Sequence, residues 1–225
     1  MDIQLHYEAR GSGTPLILLH GNGESGAYFK AQMEPFAAHF HVFAVDTRGH
    51  GQSPRGEGAF TLRRFADDLH DFLQQHGIRK AHILGFSDGG NIALLFALRC
   101  PEMVDKLVLN GANLFPAGVK RSVQIPIELG YVAAKAMRAF SPKAKAKAEL
   151  LGLMVNEPHI APEALQAVAA ETLVIAGTHD MIRDAHTKLI ANSLPNAKLV
   201  LLDGDHFIAA KEPEAFNKAV LAFLL

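Results

Sequence analysis

Ser87 stands in the run GFSDGG, residues 85–90, and a serine hydroxyl becomes a useful nucleophile only when a base takes its proton. That chemistry also needs an acid to orient the base and N–H donors for the oxyanion that forms at the attacked carbonyl. Each part has a candidate further along the chain. GDHF places His206 as the base, and GTHD places Asp180 as the acid, in the order Ser, Asp, His. Asp184, Asp203 and Asp205 compete for the acid's role, although Asp205 adjoins His206 and would need a sharp bend to reach the correct ring nitrogen. In LLHGNGESG a turn can aim the backbone N–H of Asn22, with Gly23 in reserve, at the same point as the N–H of Asp88. The chemistry these residues fit is acyl transfer to serine and hydrolysis, the cleavage of a small carboxylic ester.

Such a constellation works only if separate elements carry its parts to one edge. The runs PLILLH (15–20), HVFAVD (41–46), KAHILGF (80–86), DKLVLNG (105–111), TLVIAG (172–177) and AKLVLLDG (197–204) each suit a strand buried on both faces of a mostly parallel sheet. IQLHYE adds an antiparallel strand at the front edge. TLRRFADDLHDFLQQHG puts Leu62, Phe65, Leu69, Phe72 and Leu73 on one helical stripe, with Gly77 as a stop. AYFKAQMEPFAAHF reads as a helix after the HGNG turn, and GGNIALLFALR as the helix that Ser87 opens. Repeated strand-helix-strand units with right-handed crossovers give a doubly wound α/β sheet, and ligands meet such sheets at the carboxyl ends of the strands. Ser87, Asp180 and His206 would all lie at that edge.

The segment 114–171 breaks the alternation. VQIPIELGYVAAKAMRAF, PKAKAKAELLGLM and APEALQAVAA read as three helices, a small cap inserted before the acid-bearing strand, so that 1–113 and 172–225 form the core. The KAKAK run is read as a solvated helix face, with a mildly positive entrance for anionic substrates as the other reading. DTRGHGQS (46–53) is a loop whose Asp46, Arg48 and His50 order it by hydrogen bonds. Its glycines lack the following Gly-Lys-Ser/Thr of a phosphate loop.

Composition bounds the rest. The 225 residues are 49% hydrophobic and 20% charged, and 22 Lys+Arg against 23 Asp+Glu leave a formal charge of -1. That profile suits one globular α/β domain and argues against nucleic acid or anionic lipid as a partner. Cys100 is the single cysteine, which excludes an internal disulfide and a cysteine-rich metal cluster. The opening MDIQLHYEAR lacks the basic start and apolar run of a signal peptide, and no 18 consecutive residues are apolar, so a cytoplasmic protein that spans no membrane is expected. Oligomeric state is not written in the sequence.

Together, HGNG, DTRGHGQS, GFSDGG, GTHD and GDHF resemble the motifs of the α/β-hydrolase superfamily, from about residue 13 to the C-terminus. The resemblance implies an α/β-hydrolase fold with Ser87 as nucleophile, Asp180 as acid, His206 as base and a site that uses no cofactor and no metal. The Ser-Asp-Gly-Gly elbow is similar to that of biphenyl-hydrolase-like, valacyclovir-hydrolase-type enzymes, which act on amino-acid esters. Asp88 would then bind a substrate α-amino group, where the alternative is a carboxylate favoured by the first turn of its helix. The chain departs from those enzymes in having Phe86 before the serine and a front end one strand short. A carbon-carbon bond hydrolase, a haloperoxidase-like perhydrolase and a ligand sensor that keeps the three residues without turnover are the alternatives. Ser rather than Asp at position 87 disfavours an epoxide hydrolase or dehalogenase.

Overall fold

The computed structural model describes residues 2–225. Seven strands form one sheet: β1 (Tyr7–Arg10), β2 (Pro15–Leu19), β3 (His41–Val45), β4 (Ala81–Phe86), β5 (Val104–Asn110), β6 (Glu171–Gly177) and β7 (Ala197–Leu202). Their order is β1-β3-β2-β4-β5-β6-β7, with β1 antiparallel to β3 and every other pair parallel. The front strand begins four residues later than IQLHYE suggested, since Ile3 and Leu5 are buried in the core while Tyr7–Arg10 run exposed along the edge.

Alternation along the strands sends side chains to two cores. Ile17, Leu19, Ile83, Leu107 and Leu109 face one side, covered by α2 (Leu62–Gln75), α3 (Asp88–Arg99) and α6 (Asp184–Ser193). Leu16, Leu18, Leu84, Val108 and Ile175 face the other, under α1 (Lys30–Ala37) and α8 (Pro213–Leu224). The Phe65, Leu69, Phe72 and Leu73 stripe of α2 is buried, each side chain worth about 1.5–3 kcal/mol. Thr61 starts that helix by accepting from the Arg64 N–H at 3.2 Å, and Gly77 (φ 66°) lies just past its end.

Three local readings change. Strand β7 is the sheet edge rather than a strand buried on both faces, and Leu199 and Leu201 are 38% and 45% exposed. The stretch after HGNG opens with a 3-10 turn over Gly26–Phe29 before α1, which carries Pro35 within it. Between β5 and β6 only two α-helices form, α4 (Arg121–Met137) and α5 (Pro142–Asn156), packed on each other. APEALQAVAA gives a 3-10 turn over Pro162–Ala167. A further helix, α7 (Ile208–Lys211), follows directly on the GDHF loop. Among the described residues no helix is long and apolar enough to cross a membrane.

Candidate active site

Strands β2 and β4 are neighbours, with Leu19 opposite Gly85. The chain leaves β2 towards β3 and β4 towards β5, so the loops after these two strands diverge at the sheet's carboxyl edge, where a crevice opens. Asn22 follows β2 and Ser87 follows β4. Asp180 follows β6 and His206 follows β7, so four loops converge on one place.

Ser87 has φ 55° and ψ −119°, the one non-glycine with positive φ among the described residues. This strained corner joins β4 to α3 and lifts the hydroxyl off the sheet. Two glycines make the corner possible. A Cβ on Gly85 would lie 2.2 Å from the Gly89 carbonyl oxygen, and one on Gly89 would lie 2.1 Å from that of Leu19.

The structure brings Ser87, His206 and Asp180 together. Ser87 Oγ lies 3.0 Å from His206 Nε2, and His206 Nδ1 lies 2.7 Å from Asp180 Oδ1. The same Asp180 oxygen accepts from the Ile182 N–H at 2.8 Å, which fixes the carboxylate's orientation. His206 and Asp180 are 4% and 1% exposed, so their contact is shielded from water. An acceptor at Nδ1 selects the tautomer that leaves Nε2 free to take the serine proton. The competing carboxylates are turned elsewhere: Asp205 accepts from the Phe207 N–H and from Lys211, Asp203 from Thr178, and Asp184 sits exposed in the first turn of α6.

The backbone N–H groups of Asn22 and Asp88 donate to no acceptor among the described residues. Asp88 is the first residue of α3, where an N–H has no partner within its own helix. Its carboxylate is buried and accepts from Asn22 Nδ2 at 2.9 Å and Asn91 Nδ2 at 3.2 Å. Burial pushes its pKa up, while the two amides and His206 pull it back. An incoming ammonium would therefore meet a carboxylate whose two oxygens are already engaged.

Phe86, the residue that departs from the similar enzymes, has a place made for it. It stacks on Tyr28 at 4.3 Å and lies 4.9 Å from the His206 ring, and a Cβ on Gly21 would come within 3.0 Å of it. Gly111 (φ 62°) does the same for His206, whose Cε1 would be 2.7 Å from a Cβ there. Neither Tyr28 nor Gly111 is apparent from motif reading. The glycine ending DKLVLNG was the available signal for one of them.

Asp46, Arg48 and His50 order their loop. Asp46 accepts from the Gly26 and Gln52 N–H groups at 2.7 and 2.8 Å. Arg48, fully buried, makes two bonds to Asp68 at 2.6 and 2.7 Å and others to Asp2, and His50 meets its own loop at Thr47 and the Arg48 carbonyl. Between this loop's end and the two helices α4 and α5 lies a cleft of about 570 Å³, lined by Arg55, Phe60, Tyr131, Lys135, Arg138, Lys145, Glu149 and Glu157 among others. Lys145 of the KAKAK run thus faces the cleft. Among the described residues no three or more His, Cys, Asp or Glu side chains gather in a way that could hold a metal ion.

Comparison with known proteins agrees with this architecture. Residues 14–135 match the family model described as alpha/beta hydrolase fold. "Putative carbamate hydrolase RutD" of Azorhizobium caulinodans is 28% identical over 252 residues, covering 99% of this chain and 95% of the relative. The protein of the same name from Caulobacter sp. (strain K31) is 30% identical, covering 93% and 90%. Among solved structures, a hydrolase from Pseudomonas aeruginosa PA01 superposes with a TM-score of 0.81 at 27% identity, covering 99% of this chain and 94% of that one. With the family model spanning more than half of its length, this chain belongs to the α/β-hydrolase fold family.

Proposed function

We propose that the protein is a serine hydrolase that cleaves a small carboxylic ester through an acyl-enzyme. The observation that carries this reading is the unbroken contact from Ser87 Oγ through His206 to Asp180, at 3.0 and 2.7 Å, set on a strained elbow. Ser87 Oγ attacks the ester carbonyl carbon as its proton passes to His206 Nε2. The carbonyl oxygen, now negative, takes the Asn22 and Asp88 N–H groups, and Asp180 stabilises the imidazolium. Collapse breaks the carbon–oxygen bond, and the leaving alcohol carries away the proton from Nε2. Water then attacks the acyl-enzyme with His206 again as base, releasing the acid and restoring Ser87.

Attack draws on His206 as base and collapse on the imidazolium it becomes, and no step calls on a metal, so kcat/KM is indifferent to chelators. A narrower form of this reading is a preference for α-amino-acid esters through Asp88, and it requires the substrate ammonium to displace an amide from that carboxylate. A second reading is a carbamate hydrolase, favoured by the two relatives whose names say so. A carbamate presents the same electrophilic carbonyl with nitrogen in place of the acyl carbon, and the same attack serves it. The test is a matched panel of esters of graded acyl length, their α-amino counterparts, carbamates, a diketone, and acetate with peroxide, each run beside Ser87→Ala. Turnover of esters that vanishes in Ser87→Ala supports the first reading; turnover confined to carbamates or the diketone replaces it.

A further inference from the structure

Asn22 has a side chain as well as a backbone N–H, and both hydrogens of its amide are used. Nδ2 donates to Asp88 Oδ2 at 2.9 Å and to the Leu150 carbonyl oxygen of α5 at 3.0 Å. Both partners are pure acceptors, so the amide has one orientation open to it. The other oxygen of Asp88 accepts from Asn91 Nδ2 at 3.2 Å. Asn91 in turn donates to Asn113 Oδ1 at 3.0 Å and accepts from the Asn113 N–H at 2.9 Å, and Asn113 Nδ2 donates to the Phe115 carbonyl at 3.1 Å. One chain of hydrogen bonds thus starts on the inserted helix α5, crosses the two residues proposed as oxyanion donors, and ends where the chain leaves the sheet for the insertion.

A buried carboxylate held by neutral amides gains less than one paired with a cation, and the burial itself is a cost. Its value here is geometric. Carboxylate is the one side-chain group of this size with two oxygens that only accept, so it dictates the direction of Asn22 on one side and Asn91 on the other. An amide at position 88 would set an NH₂ against one of these two donors.

From this geometry we infer that Asp88 and Asn22 are positioning residues: their side-chain bond clamps the two oxyanion donors against each other, and the Asn22 bond to Leu150 ties that clamp to the inserted helices. The inference rests on the serine hydrolase reading and replaces a substrate contact at Asp88 with a structural one at the transition state. The oxyanion hole is then complete only with the insertion in place, and the insertion acts on kcat as well as on substrate choice.

The test compares wild type with Asn22→Ala, Asp88→Asn and the double variant. It uses an α-aminoacyl ester and its des-amino twin as substrates and a boronic acid as the probe that forms a tetrahedral adduct on serine. Asn22→Ala keeps the backbone N–H and should lower kcat roughly 10–100-fold on both esters, below the loss seen when a donor is deleted outright. KM should stay within about twofold, and boronate affinity should fall by the same factor as kcat. The double variant should be no worse than the poorer single one, because both break one bond. Asn22→Asp, close in shape but an acceptor facing two acceptors, should lose at least as much, which covers the case of an alanine variant that unfolds. Loss confined to the aminoacyl ester would make Asp88 a substrate ligand and overturn the inference, as would additive losses or undiminished boronate affinity in Asn22→Ala. A wild type that neither reacts with a fluorophosphonate nor binds the boronate overturns the hydrolase reading and this inference with it. A wild type that does both, beside variants that lose kcat and boronate affinity together, supports the clamp.

Discussion

The elbow and the insertion are built on opposite principles. From Ile83 to Ala97 every residue except Ser87 and Leu95 is buried, and two glycines there stand where any Cβ would strike backbone. In α4, by contrast, the buried residues are Gln124 and Ala134, while Leu129 and Val132 are 67% and 64% exposed. Helix α5 buries Ala148 and Leu153. Polar contacts do much of the work of holding this layer: Asn22 to Leu150, Arg55 to Glu149 at 2.8 and 3.1 Å, and the Leu62 N–H to Glu157 at 2.7 Å. Packing at the sheet edge tolerates almost no change, whereas a layer held by few contacts can vary its lining at small cost.

That contrast predicts where substitutions hurt. Gly89→Ala should be the most damaging, since its Cβ meets the Leu19 carbonyl and neither backbone can yield; a loss of about 3 kcal/mol in denaturant unfolding is the expected size. A stable Gly89→Ala protein with full activity would break the comparison at its strongest point.

Acid should weaken the core half next. Buried His20 accepts the Thr47 N–H on Nε2 and faces the Gly21 carbonyl with Nδ1, an arrangement that needs a neutral ring. Burial, with His50 nearby, takes its pKa from 6.5 down to about 4. Between those values the unfolded chain binds the proton and the folded one does not, so stability is full above about pH 6.5 and is lost as pH falls towards 4, by about 3 kcal/mol. Unfolding free energies measured across that window check the slope, and His20→Gln should flatten it.

Gly111→Ala comes third. Its Cβ would press on His206 from a backbone at φ 62°, so kcat should drop roughly 10-fold or more. An unchanged kcat would mean that the His206 ring is free to move aside. The smallest effect belongs to the insertion: Arg55→Ala removes a partly buried ion pair, its side chains 33% and 24% exposed, worth less than about 1 kcal/mol, and should shift KM a few-fold with the melting temperature nearly constant.

The same contrast explains what the sequence disclosed. The gathering of Ser87, Asp180 and His206 was legible because a serine at a strand-to-helix corner demands glycines at fixed spacing, and Asp180 and His206 follow later strands of the same parallel sheet. The sheet was legible because its strands are continuous apolar runs. Strand β7 reads like the others, yet its apolar residues cover an edge, and no local signal separates an edge leucine from a central one. Helices α6 and α8 lacked a motif to draw attention to them. The Asn22–Asp88–Asn91–Asn113 chain was hidden for another reason, since its members come from two loops and a helix that only the folded sheet brings together.

The central claim is that Ser87, activated by His206, performs the chemistry, and fluorophosphonate labelling with peptide mapping, run beside ester turnover by Ser87→Ala, tests it most directly. The expected result is a single adduct on Ser87 and a fall in kcat of roughly 10⁴-fold or more in the variant, with its melting temperature unchanged. An adduct on a different serine, or full turnover by Ser87→Ala, would contradict it.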